Sequence, residues 1–99
     1  METFVIYAYW EMPSEVDEAL LAKVDEAWDQ ADESFCSGAD RDDHRVLSLS
    51  FNISAANADA AGTDARQAVE AMANRLGLPG QLRALKGYTM EGWFDYLAE

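Results

Sequence analysis

The run Arg45-Val46-Leu47-Ser48-Leu49-Ser50-Phe51-Asn52-Ile53-Ser54 alternates strictly. Leu47, Leu49, Phe51 and Ile53 fall on one side, and Ser48, Ser50, Asn52 and Ser54 on the other. Successive strand side chains point to opposite faces, so this pattern predicts a half-buried strand with one polar face. A sheet built around such a strand is covered on one side and open on the other, as antiparallel sheets commonly are. Thr3 to Trp10 is β-branched and aromatic, and both of its alternating sets are largely apolar. That predicts a second strand, central in the same sheet. With Phe4, Ile6, Leu47, Leu49 and Phe51 facing a helical layer, Tyr7 and Tyr9 share the open face with Ser48, Ser50 and Asn52.

The intervening segments supply that layer. Val16, Leu20, Val24, Ala27, Trp28 and Ala31 lie on one arc at about 100° per residue, which predicts an amphipathic helix over 15–33 with Ser14 as N-cap. Ser34 to Cys36 reads as a short edge strand, 37–40 as a turn and 41–44 as a polar loop. Ala55 to Gly62 reads as a small-residue connection, and Thr63 as the cap of a helix over 64–76. Gly77-Leu78-Pro79-Gly80 is a helix stop signal. Leu82 to Tyr88 predicts a last strand. Met90, Trp93, Phe94 and Leu97 recur at helical spacing and predict a short terminal helix over about 89–98. The order β-α-β-β-α-β predicts an α+β fold of ferredoxin-like type: an antiparallel sheet, two helices on one face and the short C-terminal helix.

The strand Val46–Ile53, the Ala-rich helix ending Arg75-Leu76-Gly77-Leu78-Pro79-Gly80, and the closing Tyr88-Thr89-Met90-Glu91-Gly92-Trp93 together resemble the small ferredoxin-like domains of high-GC bacteria and their phages. The resemblance implies the architecture over the whole chain. It implies no activity.

At 99 residues the chain is expected to form a single domain over 1–99. An apolar fraction of 49% and an aromatic fraction of 11% suffice for a core and argue against an acidic disordered tail. One cysteine, Cys36, excludes an intrachain disulfide and a cysteine-rich zinc site, and points to a reducing cytoplasm. The N-terminus lacks a basic stretch before its apolar run, so no secretory leader is expected. No run approaches the ~20 apolar residues of a membrane span.

The formal net charge of −12 disfavours direct contact with nucleic acid or an anionic membrane. Its distribution is uneven. Residues 11–43 hold twelve acids and two bases, whereas 44–99 hold six acids and five bases. Asp25 and Asp29, and Asp29 and Glu33, are like-charge pairs at i, i+4, which oppose helix formation. Repulsion kept where lysines would relieve it points to a use for the field: steering a basic protein surface to this helix. The expected contact set is Glu15, Glu18, Asp25, Asp29, Asp32 and Glu33, centred on Glu18, Asp25, Asp29 and Asp32. Carboxylates in a row can stand in for phosphates in the basic cleft of a nucleic-acid-handling protein. In charge and length the chain is similar to phage-encoded inhibitors of restriction and CRISPR systems.

Enzymatic chemistry finds little footing. Asp40, Asp42, Asp43 and His44 form an acidic loop, but an EF-hand register from Asp40 places Arg45 where glycine belongs and Phe51 where glutamate belongs. A single histidine leaves no histidine-based metal site. No G-x-S-x-G or phosphate loop is present. No catalytic residue, metal or cofactor is therefore assigned. Two further surfaces are candidates. Tyr7, Tyr9, Ser48, Ser50 and Asn52 suit a homodimer interface or a small-ligand platform. Trp93, Phe94 and Leu97 suit a docking helix. A small structural accessory protein is the remaining alternative.

Overall fold

The computed structural model describes residues 1–28 and 35–97. Seven elements follow one another: β1 (Glu2–Glu11), α1 (Glu18–Ala27), β2 (Cys36–Ala39), β3 (Val46–Ala55), α2 (Ala58–Leu76), β4 (Gln81–Thr89) and β5 (Gly92–Leu97). The strands form one sheet in the order β2-β3-β1-β4-β5, with every neighbouring pair antiparallel. This is an α+β fold, and its first six elements are compatible with the ferredoxin-like arrangement. β1 is central, as its two apolar faces predict.

The register of β1 on β3 sets Phe4 opposite Ile53, Ile6 opposite Phe51, Ala8 opposite Leu49 and Trp10 opposite Leu47. These side chains face the helices. Phe4, Ile6, Ala8, Leu47, Leu49 and Phe51 are all buried there, together with Leu85 from β4 and Val69, Met72 and Ala65 from α2. Trp28, just past α1, stacks on Phe35 at 4.5 Å between centroids and tilts against Phe51 at 4.6 Å.

Several boundaries differ from the expected ones. α1 starts at Glu18, because Asp17 rather than Ser14 accepts the hydrogen bond from Leu20 N–H (2.8 Å). It ends at Ala27: Trp28 turns to extended backbone and enters the core, and Arg75 Nη1 donates to the freed Ala27 carbonyl at 2.7 Å. The remainder of the expected helix, from Asp29 to Glu33, lies outside the described residues. β2 covers Cys36–Ala39, where a turn was expected over 37–40. Pairing of all four residues with β3 outweighs the local turn preference. The turn falls later, where the Asp40 carboxylate accepts from the N–H groups of Asp42 and Asp43. α2 starts at Ala58 under an Asn57 cap, six residues ahead of the expected start, since the alanine-rich connection is itself good helix material. Its end matches the stop signal. Gly77 is left-handed (φ 61°), and Leu78 N–H returns to the Ala73 carbonyl at 2.9 Å.

The largest correction is at the C-terminal end. The expected terminal helix over 89–98 is instead the strand β5, paired with β4 from Thr89–Gly92 to Leu85–Leu97. Gly92, at φ 153°, follows a tight turn and opposes helix. The aromatic residues after it favour a strand. The alternation that matters is two: Phe94 and Tyr96 pack inward, and Trp93 faces out, 67% exposed. Tyr96 lies in a slot made by two glycines. A Cβ on Gly62 of α2 would collide with its ring, and one on Gly87 of β4 would meet it at 2.9 Å. Phe94 adds an edge-on contact with Phe4 at 5.9 Å. Two aromatic side chains thus fasten β5 to the layer above.

Candidate functional site

The molecule has two unlike sides. On the open side, strand register sets side chains in rows across the sheet. One row runs Cys36, Ser50, Tyr7, Lys86, Asp95 across all five strands. Its neighbours run Asn52, Val5, Tyr88, Trp93 and Gly38, Ser48, Tyr9, Ala84. The face therefore divides lengthwise. Over β1, β4 and β5 it is a ridge of aromatic rings. Over β3 and β2 it is a low floor of serine, glycine and asparagine.

The ridge is a packed cluster. Tyr7 stacks on Tyr88 at 5.9 Å and 12°, and Tyr88 meets Trp93 at 4.5 Å. Trp93 also reaches Tyr7 at 6.3 Å. A concavity of about 430 Å³ is lined by Tyr7, Tyr9, Lys86, Trp93 and Asp95. The hydrogen bond between the Tyr7 and Tyr88 phenols, aided by desolvation, raises the Tyr7 pKa above 10.0. Of the expected sheet-face residues, Tyr7, Tyr9, Ser48, Ser50 and Asn52 all share this face. For this face, sequence reasoning missed Trp93 and Asp95 because β5 was read as a helix, with Trp93 assigned to a docking surface, and missed Lys86 and Tyr88 although their strand was expected. The alternation of Trp93 and Asp95 against Phe94 and Tyr96 was the available signal.

The expected docking helix is divided by the strand. Trp93 joins the open face, Phe94 packs against the core, and Leu97 pairs through its backbone with Leu85. No single surface carries all three.

The other side carries the acids. Glu18, Asp25 and Glu26 are exposed on α1, and Glu15 is exposed in the segment before it. Glu18 and Asp25, seven residues apart, lie within about 20° of one another around the helix axis. Asp25 Oδ1 accepts from the Ser37 hydroxyl at 3.0 Å, which holds that carboxylate toward β2. The last turn of α1 contains no basic residue, although bases are favoured there by the helix dipole. Asp29, Asp32 and Glu33 of the expected contact row lie outside the described residues. The aspartates of the loop are engaged locally: Asp40 holds the turn, and Asp43 accepts from Arg45 N–H at 3.0 Å. Among the described residues, no cluster of three or more His, Cys, Asp or Glu side chains is placed to hold a metal ion. Among them too, no helix is long and apolar enough to cross a membrane.

Comparison with protein-family models, with characterised proteins and with solved structures finds no match to this chain.

Proposed function

We propose that this protein is a non-enzymatic binding module that engages a basic protein through the acidic layer around α1. The observation that carries the reading is the segregation of charge. Exposed carboxylates gather on α1 and the segment before it, while paired strand positions of the opposite face carry both signs among the described residues, with Glu11, Lys86 and Asp95. Asp25 and Glu26 occupy a helix end that favours bases, so the negative field is retained against a local energetic preference. Such a field attracts cationic surfaces from a distance and orients them before contact. The partner class is a protein with a concentrated lysine and arginine patch. A cleft that otherwise receives nucleic-acid phosphates fits that description, with Glu15, Glu18 and Asp25 in the place of phosphate groups. The inhibitor role expected from the sequence is one form of this activity.

The test is capture of host proteins at low salt by the wild-type chain and by Glu18→Lys plus Asp25→Lys. A specific basic protein is expected to bind the wild type, to leave it as salt rises, and to ignore the variant. Equal retention by both, or retention indifferent to salt, overturns the reading.

A further inference from the structure

We infer that the basic partner seats an apolar side chain, flanked by arginine or lysine, in a groove between α1 and the link that follows α2. The inference rests on the acidic-layer reading and makes it specific: the contact is an apolar anchor within a cationic surface. The groove has a volume of about 380 Å³ and is bounded by the link from β1 to α1, the first half of α1 and the link from α2 to β4. Met12, Leu20, Leu76, Leu78 and Pro79 supply its apolar lining. Met12 is buried, Leu20, Leu76 and Leu78 are half-buried, and Pro79 is exposed. Apolar area thus stays open to water in a concave site, and an inserted apolar side chain removes it from water.

The walls are fixed before any partner arrives. Met12 N–H donates to the Arg45 carbonyl and Val16 N–H to the His44 carbonyl, both at 2.8 Å. Asp17 caps α1, and Trp10 Nε1–H donates to the Pro79 carbonyl at 2.9 Å. The left-handed Gly77 and the bond from Leu78 N–H to the Ala73 carbonyl hold the opposite wall. A site that needs no ordering loses less free energy on binding.

Charge selects the occupant. Glu15 and Asp17 stand at one end of the groove, beside exposed Glu18. Lys23 also lines it, about 9 Å from Asp17 along the axis of α1. The acidic end receives the partner's base, and Lys23 repels a second base at the other end. The segment that fits therefore carries an apolar side chain with its positive charges on one side.

Fluorescence anisotropy of a labelled peptide with one leucine beside a run of arginines, against the same peptide with serine for leucine, tests this on the full chain. At about 50 mM salt the leucine peptide should bind about tenfold more tightly, as one partly buried apolar side chain allows. Ala19 is exposed on α1 and lines the groove. Ala19→Trp fills the groove without changing charge. It should erase the leucine preference while both peptides keep their salt-dependent binding and circular dichroism stays near wild type. Glu18→Lys plus Asp25→Lys should weaken both peptides alike. Equal binding of the two peptides by the wild type overturns the inference and leaves the acidic layer standing. A leucine preference that survives Ala19→Trp, or amide shifts that gather at Tyr7 and Trp93 on the open face, overturns it as well. Leucine-dependent binding that ignores both salt and the double charge reversal keeps the groove and overturns the acidic-layer reading. Absence of binding by either peptide overturns both.

Discussion

The two sides of this sheet solve opposite problems. Over the helical side, Phe4, Ile6, Leu49, Phe51 and Leu85 are almost fully removed from water, and the charges are pushed to the outer surface of α1. Over the open side, rings of similar size remain at the surface, and Trp93 keeps 67% of its area exposed. Each fully buried large apolar side chain contributes about 1.5–3 kcal/mol. The covered side therefore supplies most of the stability. The exposed side holds apolar area whose burial is still available to an interface. The difference teaches that core packing and surface chemistry are separable here, because they sit on alternate residues of the same strands.

The most damaging way to break the comparison is from the covered side. Phe51→Ala empties the contact with Trp28 and opens a cavity beneath α1. It should cost about 3–5 kcal/mol in urea unfolding. Next comes the slot that holds β5. Gly62→Val drives a branched side chain into the Tyr96 ring, and should destabilise by about 1–3 kcal/mol as overpacking does.

Alkaline pH sharpens the contrast further. The Tyr7 pKa is raised by its hydrogen bond with Tyr88 and by desolvation, and the Tyr96 pKa is raised by burial and by the Asp59 charge. A phenol whose pKa is higher in the folded state contributes stability that is complete below the unfolded value, about 10. That contribution is lost as pH rises through the folded value. Unfolding should therefore become easier above about pH 10, and ultraviolet titration of the phenolates should show Tyr7 and Tyr96 ionising above the free-phenol value. Tyr7→Phe should make stability less sensitive to pH in that range. Titration of Tyr7 and Tyr96 at the free-phenol value would overturn this expectation.

The smallest effect is expected on the acidic layer. Glu26→Lys sets a base in the last turn of α1 and should raise stability by about 0.3–1 kcal/mol. A rise in thermal midpoint combined with weaker binding of a basic partner would show that the acid is kept for recognition. A fall in stability would mean that Glu26 supports the fold.

Much of this architecture was legible along the chain. The strict alternation from Leu47 to Ile53 sorted the two faces of β3, and the doubly apolar run from Phe4 to Trp10 identified the central strand. Both signals arise from burial, which acts on every residue of a strand in the same way, so they survive tertiary context. The Gly77 stop was legible for a different reason: its left-handed backbone is a local requirement that glycine meets without strain. The aromatic ridge was only half visible. Tyr7 and Tyr9 could be assigned to a face by alternation within β1. Tyr88 and Trp93 join them only through pairing with residues many positions away.

By itself, the sequence determined the α+β class, the two helices, the three longer strands β1, β3 and β4, the open polar face of β3 and the concentration of charge between residues 11 and 43. These follow from side-chain chemistry read at short range. Tertiary structure decided where α1 stops, because Trp28 is drawn onto Phe35 and Phe51 and Arg75 takes the carbonyl it leaves behind. It also decided that the terminal aromatic segment is a strand. Trp93, Phe94 and Leu97 fit a helical spacing, whereas Phe94 and Tyr96, two apart, share a face only in a strand, and the two patterns overlap in one short stretch. Only the glycine slot in α2 and β4 and the free edge of β4 select one of them. That choice turned an expected docking helix into the edge of the sheet and placed Trp93 beside Tyr7 and Tyr88.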